Sequence, residues 1–196
     1  MGIIIKEFTN KYLDDIRAIN VGVSSHPNKP LEEKKLCQFL YIDYYAFNST
    51  SNCFVAIDED TDECVGYIIS EPDLNRYKKI ILNDYLPTAI TLRSDFEQYL
   101  YNEVSLYESN INEYDAHLHM DVKPGHQHKG IGTMLIKHEL NHLKQYGSKG
   151  VMLLCSASNI NANNFYEKNG LTTFKEINGC NLRGIKLWTQ LVFHFI

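Results

Sequence analysis

Apolar residues in the first part of the chain follow a pattern that predicts one strand and then two helices. The opening segment IIIKEF, residues 3–8, has the apolar character of a strand. A short helix is predicted over 10–19, with Asn10 as its capping residue. A turn-prone stretch leads into a longer helix over about 31–47, whose apolar residues fall on one face: Leu36, Leu40 and Phe47.

A hairpin and then a long segment without strand character follow. Cys53–Ile57 and Cys64–Ser70 flank an acidic turn and predict a β-hairpin. Residues 71–115 are expected to be a helical insertion, with a helical pattern from about Thr88 to Tyr107. Residues 94–115 contain six acidic side chains and no basic ones. We favour a solvated helix with one aromatic face packed inward; the alternative is an acidic wall beside a cationic substrate. The aromatic residues concerned are Phe96, Tyr99, Tyr101, Tyr107 and Tyr114.

From residue 116 onward the pattern of elements becomes regular. The segment Ala116–Val122 alternates between apolar and polar residues, which predicts a half-buried strand. Its polar face carries His117, His119 and Asp121. A loop then leads into a well-buried helix from about Gly130 to Tyr146.

The last part of the chain predicts three more strands and one helix. Val151–Cys155 is continuously apolar, as in a central strand buried on both sides. Asn161–Lys168 predicts a short helix. Leu171–Glu176 and Leu187–His194 predict strands paired across a loop at Ile177–Lys186. Taken together, the elements predict one α/β (α+β) domain over residues 1–196, with a mixed, largely antiparallel sheet of six or seven strands flanked by helices.

Composition narrows the classes of function. The formal net charge of −5 argues against a nucleic-acid partner, which needs clustered Lys and Arg. No apolar run reaches the roughly 20 residues that span a bilayer, and the N-terminus lacks a signal peptide, so a cytoplasmic protein without a membrane partner is expected. The five cysteines are widely spaced and predict neither disulfides nor a zinc site. Cys155 is a minor candidate nucleophile that burial is expected to quiet.

A glycine-bearing loop joins the strand at Ala116–Val122 to the helix that follows. Glycines there let the backbone approach a ligand, and the free N–H groups of a helix start suit a phosphate. The loop matches neither a P-loop nor a dinucleotide fingerprint, and a plain strand–turn–helix connection is the alternative. By itself the loop predicts only an anion site.

A second motif gives that loop a specific meaning. The loop fits the pattern Q/R-x-x-G-x-G/A as Gln127 through Gly132, and Asn159 through Leu171 fits N-x-x-A-x-x-F-Y-E-K-x-G-F with Leu171 in place of Phe. The two motifs, in this order and separated by one helix and one strand, resemble the GNAT superfamily of N-acetyltransferases. The resemblance is strong over roughly residues 116–176.

The resemblance implies a GNAT-type fold whose sheet splays where acetyl-CoA binds, with no metal. The backbone near Val122 would hold the pantetheine arm and stabilise the oxyanion, Gln127 would shape the loop, and Asn159 would contact the cofactor arm. The pyrophosphate would bind to the backbone N–H groups of His128, Lys129, Gly130, Ile131, Gly132 and Thr133.

Tyr166 matches the position that often protonates the departing thiolate in the family, and a phenol is suited to that role. The alternative is that Tyr166 only packs against the cofactor. His119 is the preferred general base because it lies close to the splay, although a histidine pair on a polar sheet face is an equal alternative. Asp121 is instead a candidate for fixing the loop. His138 and His142 have metal-compatible spacing but no third ligand, so they are interpreted as surface residues.

The expected reaction is direct acetyl transfer from acetyl-CoA to a primary amine, without an acyl-enzyme. The acceptor, a small molecule or peptide, would bind among residues 24–30, the long helix after them and the loop at Ile177–Lys186. The acidic surplus favours a cationic acceptor. A non-catalytic acyl-CoA-binding module and an acyltransferase with a longer acyl donor are the rival hypotheses. The segment 71–115 either covers the acceptor site or mediates a homodimer.

Overall fold

A computed structural model describes residues 2–23 and 30–188 of the chain, and seven strands within them form one sheet. The strands are β1 (Ile3–Glu7), β2 (Cys53–Asp58), β3 (Glu63–Glu71), β4 (Ala116–Val122), β5 (Gly150–Ser156), β6 (Thr172–Ile177) and β7 (Cys180–Lys186). The helices are α1 (Leu13–Val23), α2 (Leu31–Gln38), α3 (Tyr44–Asn48), α4 (Leu74–Ile80), α5 (Leu86–Leu92), α6 (Phe96–Glu108), α7 (Ile131–Tyr146) and α8 (Ile160–Lys168).

The sheet has the strand order β1-β2-β3-β4-β5-β7-β6, and every neighbouring pair is antiparallel except β4 and β5. The parallel pair is joined at only two positions, Ala116 opposite Val151 and His117 opposite Met152. Beyond them β4 continues along β3 as far as Val122, while β5 continues along β7 as far as Ser156. The sheet therefore opens between β4 and β5, which confirms the predicted mixed sheet and its splay.

Each face of the sheet carries its own hydrophobic core. Helices α1 to α6 cover one face, where buried side chains such as Ile16 and Tyr67 pack together. Helices α7 and α8 cover the other face, where Leu118, Leu135 and Tyr166 belong to the second core. The alternation along β4 places its apolar side chains in the second core and its polar ones on the opposite face, as the sequence pattern predicts.

The end of the sheet differs from the sequence prediction. The sequence predicts a loop over Ile177–Lys186, but Cys180–Lys186 forms β7, which pairs with both β5 and β6. The predicted loop at Ile177–Lys186 is therefore wrong, and the strand that pairs with β6 is β7. Leu187 and Trp188 lie beyond β7, and the remainder of the strand predicted at Leu187–His194 lies outside the described residues.

The N-terminal helices also depart from the prediction. Asn10 begins a short 3₁₀ turn whose capping position is Thr9, so the predicted capping role of Asn10 is wrong. The helix that follows runs on to Val23 instead of ending at residue 19. Between α2 and α3 the backbone adopts a π turn over Phe39–Asp43, which adds a residue to the helical repeat and rotates the downstream face. Phe47 is consequently 56% exposed.

The segment between β3 and β4 is helical, but the helices are not those predicted. Helicity begins at Leu74, well before the predicted start at Thr88, and a break at 93–95 separates α5 from α6. The inward aromatic face is confirmed for Tyr107, whereas Tyr101 on the same helix is exposed. One of the acidic residues, Glu103, is buried on the inner side of α6.

Candidate active site

The loop before α7 presents free backbone N–H groups at the splay. Gly130 precedes the helix with φ of 83°, and the first intrahelical bond runs from the Met134 N–H to the Gly130 carbonyl. The N–H groups of residues 130–133 have no acceptor within the described residues. A helix of 16 residues adds its positive dipole end at this point. This geometry can bind an anion.

Gln127 holds the loop in shape. Its side-chain Nε2 donates to the Val122 carbonyl at 3.1 Å, and this bond ties the loop back to the last residue of β4. His128 beside it adopts φ of 62°, a left-handed backbone that turns the chain toward α7. The side chain of Lys123 is paired with Glu63, whereas that of Lys129 is exposed and has no ion pair within the described residues.

The two sequence motifs are in contact at Gly132. A Cβ atom built on Gly132 would lie 2.9 Å from Cζ of Phe165, closer than carbon atoms pack. Glycine at this position therefore lets α7 approach α8 closely. The contact brings the phosphate loop and the helix that carries Tyr166 to the same opening in the sheet.

Asn159 starts α8. Its side-chain Oδ1 accepts a hydrogen bond from the Ala162 N–H at 3.1 Å, and its carbonyl accepts one from the Asn163 N–H. The Oδ1 atom is thus used for helix capping, while Nδ2 makes no hydrogen bond to a described residue. The exposed Nδ2 group is the part of Asn159 that can contact a cofactor.

Tyr166 lies in the second core with 9% of its surface exposed. Burial raises the pKa of its phenol well above the usual value, and the negative charge of Asp121 adds to the shift. Asp121 projects from the opposite face of β4, so its charge acts on the Tyr166 phenol across the opening between β4 and β5. Within the described residues the Tyr166 hydroxyl makes no hydrogen bond, so it can donate one to a bound molecule.

His119 belongs to a polar cluster on the face covered by α1. Its Nε2 lies 3.3 Å from Oδ2 of Asp121. The Asp121 carboxylate also accepts from the Tyr67 hydroxyl at 2.5 Å and from Asn20 Nδ2 at 3.4 Å. Asp121 is held by β3 and α1, so these contacts do not support the alternative in which it fixes the loop. An imidazole paired with a held carboxylate can take up a proton.

His117 is on the same face of β4 but in different surroundings. It is buried among tyrosine rings, with its Nδ1 3.2 Å from the Tyr45 hydroxyl and its Nε2 without a partner. Burial lowers the pKa of His117 to about 3. A histidine with so low a pKa is a weak base, so His117 is not suited to accept a proton near neutral pH.

A cleft of about 260 Å³ opens beside His119. It lies between β4 and the helices α1 and α2, on the opposite side of the splay from Tyr166. His119 and Asp121 are predictable from the alternation along β4, whereas Asn20, Tyr41 and Tyr67 are not, because they come from separate segments and carry no motif. The cleft is lined by Asn20, Val21, Val23, Lys34, Cys37, Tyr41, His119 and Asp121.

The remaining candidates do not form a second chemical site. His138 and His142 pack against Phe54, and His142 Nε2 lies 2.8 Å from Asn52 Oδ1, so His142 is a packed residue instead of the predicted surface one. Burial raises the pKa of the Cys155 thiol, as expected. Within the described ranges, no group of three metal-ligating side chains occurs. Nor does any described helix have the length and apolar character of a membrane span.

Comparison with known proteins extends these observations. The model of the family described as the acetyltransferase (GNAT) family matches residues 23–171. Among solved structures, the crystal structure of SsHAT superposes with a TM-score of 0.82 at 18% identity and covers 96% of this chain and 100% of that chain. PaiA N-acetyltransferase from Thermoplasma acidophilum, solved in complex with coenzyme A, has a TM-score of 0.61 at 15% identity over 95% of this chain and 99% of that chain.

A third similar structure is the polyamine N-acetyltransferase of Drosophila melanogaster, with a TM-score of 0.65 at 11% identity over 94% of this chain and 100% of that chain. At such low identities the structural matches establish a shared fold. The family model, by contrast, matches well over half of the sequence and includes both motifs. On that ground the chain belongs to the GNAT family of acetyltransferases, which use acetyl-CoA.

Proposed function

We propose that the protein transfers the acetyl group of acetyl-CoA to a primary amine by direct attack. The observation that carries this proposal is the arrangement around the splay between β4 and β5. Free N–H groups for a pyrophosphate lie at one end of the opening, Tyr166 lies on one side of it, and the cleft with His119 lies on the other. A thioester bound in the opening would have Tyr166, the proposed acid, on one face of the sheet and His119, the proposed base, on the other.

The cofactor would be held mainly by backbone. The pyrophosphate would accept hydrogen bonds from N–H groups between His128 and Thr133, each contributing on the order of 1.5–3 kcal/mol. The pantetheine arm would follow β4 near Val122, and Asn159 Nδ2 would contact the arm from α8. No metal takes part in this scheme. Residues 1–196 would act as one domain with residues 71–115 as a helical insertion.

The chemical steps use His119 and Tyr166 in turn. The neutral amine attacks the thioester carbonyl, forming the C–N bond and an oxyanion that a backbone N–H near Val122 stabilises. His119 takes the proton that leaves the nitrogen, with Asp121 holding the imidazole. When the C–S bond breaks, the thiolate takes the phenolic proton of Tyr166, and solvent returns a proton to the phenolate. The raised pKa of Tyr166 keeps its phenol protonated near neutral pH, so the hydroxyl is available to donate to the developing thiolate.

A Tyr166→Phe variant tests the acid. Turnover, measured as coenzyme A release with saturating amine, should fall by about ten- to a hundredfold. The dissociation constant of acetyl-CoA, measured by calorimetry, should change by less than about threefold, since only the hydroxyl is removed. Tyr146→Phe, at the exposed end of α7, is the matched control and should change neither quantity. Equal losses of turnover and affinity would show that Tyr166 only packs against the cofactor.

The same assay separates the rival hypotheses. Binding of acetyl-CoA without coenzyme A release across a panel of primary amines would identify a non-catalytic acyl-CoA-binding module. Faster turnover with a longer acyl-CoA than with acetyl-CoA would identify a different donor. We expect acetyl-CoA to be turned over in the presence of at least one amine.

A further inference from the structure

A buried carboxylate lies beneath the cleft and has no cationic partner among the described residues. Glu103, on α6, is only 7% exposed. Its Oε1 accepts a hydrogen bond from the Tyr77 hydroxyl at 2.7 Å, and its Oε2 accepts one from the Tyr99 hydroxyl at 3.1 Å. A buried carboxyl held only by hydroxyl groups is costly, which calls for a reason beyond packing.

The hydrogen bonds from Glu103 continue to the wall of the cleft. The Tyr99 hydroxyl is in hydrogen-bond contact with the Tyr41 hydroxyl, and Tyr41 lines the cleft. A phenol has a single proton, and Tyr99 donates its proton to Oε2 of Glu103. Tyr41 must therefore donate to Tyr99, so the Tyr41 oxygen retains only lone pairs. Toward the cleft it can accept a hydrogen bond but cannot donate one.

The opposite wall of the cleft also presents a hydrogen-bond acceptor. The Asp121 carboxylate is an acceptor, and the imidazole of His119 lies between the two walls with its ring centroid 5.9 Å from that of Tyr41. Burial is the main cause that raises the pKa of both Tyr41 and Glu103; Glu103 adds to the shift of Tyr41, and His119 opposes that of Glu103, because the three groups lie close together. An ammonium group, which has three donors and no acceptor, complements such walls.

We propose that Glu103, acting through Tyr99, holds Tyr41 as an acceptor-only group and thereby selects acceptor amines that carry a second, positively charged amino group. The proposal rests on the proposed function and adds a substrate class to it. It also gives the segment between β3 and β4 a role, since α6 supplies both Tyr99 and Glu103. The π turn at Phe39–Asp43 contains Tyr41, which contacts Tyr99 of α6 and also lines the cleft. In this scheme Glu103 and Tyr99 are positioning residues and Tyr41 contacts the substrate.

Lys34 on the rim of the cleft defines the competing class of acceptor. A lysine at that position would favour an amine whose far end is a carboxylate. Three acceptors of equal chain length distinguish the classes: n-pentylamine, 1,5-diaminopentane and 5-aminopentanoate. They differ only in whether the far end is neutral, positive or negative.

The experiment measures kcat/KM for the three acceptors by coenzyme A release at saturating acetyl-CoA. In the wild type, 1,5-diaminopentane should exceed n-pentylamine by about tenfold or more, the equivalent of one charge-assisted hydrogen bond. Tyr41→Phe, Tyr99→Phe and Glu103→Gln should each reduce that ratio to within about threefold of unity, mainly through a higher KM for the diamine. Tyr101→Phe, on the exposed side of α6, should leave the ratio unchanged.

The possible results separate this inference from the proposed function. If none of the three acceptors supports coenzyme A release, the diamine selection is contradicted, whereas the proposed function is contradicted only if the whole panel of primary amines also gives no release. Release at equal efficiency, or a preference for 5-aminopentanoate, contradicts the selection alone. A diamine preference that survives Tyr99→Phe contradicts the proposed link through the Tyr99 hydroxyl. Tyr99→Phe keeps the bond between Tyr77 and Glu103, so it carries the test where Glu103→Gln does not fold.

Discussion

His117 and His119 show how far single residues can be interpreted from sequence. Both alternate onto the same face of β4, and the pattern does not distinguish them. In the structure the two histidines differ in their surroundings. His117 lies under tyrosine rings, whereas the His119 side chain is 35% exposed at the cleft beside Asp121. Which of two equivalent positions meets solvent depends on the helices that cover the sheet, and these come from distant parts of the chain.

Replacing His119 tests its role as the base. His119→Ala should lower kcat/KM for an amine acceptor by about a hundredfold and should change the acidic limb of the pH–rate profile, because no imidazole remains to accept the proton and only deprotonation of the amine itself still contributes. The measurement is kcat/KM from pH 5.5 to about 9. His138→Ala, an exposed histidine on α7, is the control and should keep the wild-type profile. If His119→Ala has a low rate but an unchanged acidic limb, another group is the base.

The roles of single residues in the two motifs can be predicted from the sequence, whereas the roles of the cleft residues cannot. Gln127, Gly132 and Asn159 each have a local role that the loop or helix start explains. Asn20 and Tyr67, in contrast, have roles only because α1 and β3 meet β4. Their contacts depend on tertiary structure, and a single sequence carries no record of which distant segments come together.

Among the elements, β7 is the strand that the sequence pattern does not predict. Its interior contains Arg183 and Gly184, a charged residue and a poor strand former, where apolar residues are expected. Gly184 is required because a Cβ atom there would lie 2.5 Å from the Tyr114 ring. Arg183 is buried because β6 and the residues before it supply acceptors, including Thr173 Oγ1 at 2.7 Å and the Leu171 carbonyl at 2.9 Å. Neither reason can be inferred from strand periodicity.

Arg183 should also position α8 and, with it, Tyr166. Its guanidinium pairs with Glu167, the residue after Tyr166, so Arg183→Met removes the link between β7 and the helix that carries the acid. We expect the free energy of unfolding to fall by about 2–3 kcal/mol, because the Leu171 carbonyl loses its buried donor. Urea unfolding measures this loss, and kcat should fall together with it.

Lys186, on the same strand, is the matched control. Its salt bridge with Glu113 is largely exposed, so Lys186→Met should cost less than about 1 kcal/mol and leave kcat unchanged. Equal effects of the two substitutions would show that Arg183 has no special part in holding α8. A loss of stability in Arg183→Met without any change in kcat would restrict Arg183 to a structural role.

For the whole molecule, the order of elements and the mixed sheet were predictable, but the placement of the inserted helices was not. The hairpin, β4, the phosphate loop and α7 follow each other directly, and local patterns define them. Helices α4 to α6 occupy the side of the sheet opposite α7, where they bring Glu103 beneath the cleft. That position depends on how buried polar groups such as Glu103 and His117 find partners, a property of the assembled molecule.

Stability of the whole molecule should depend on pH through Glu139. This residue of α7 is fully buried against β3, where its Oε1 accepts a hydrogen bond from Ser70 at 2.5 Å and its Oε2 has no partner. Burial raises the pKa of Glu139 to about 8 from an ordinary value of 4.5. Because the folded-state pKa is the higher one, the protonated form stabilises the fold below pH 4.5, and that contribution is lost as pH rises toward 8.

Glu139→Gln isolates this effect, because an amide keeps the shape of the protonated acid and does not titrate. The difference in unfolding free energy between Glu139→Gln and wild type should be near zero at pH 4.5. It should then grow in favour of the variant by up to about 1.4 kcal/mol per pH unit as pH approaches 8. Subtracting wild type cancels the opposite effect of His117, whose lowered pKa costs stability as pH falls below 6.5.

Urea unfolding between pH 4.5 and 8.5 measures the difference, with Glu97→Gln, an exposed acid on α6, as the control. A difference that does not change with pH would mean that Glu139 is ionised in the folded protein over the whole range, with its charge balanced by a neighbour.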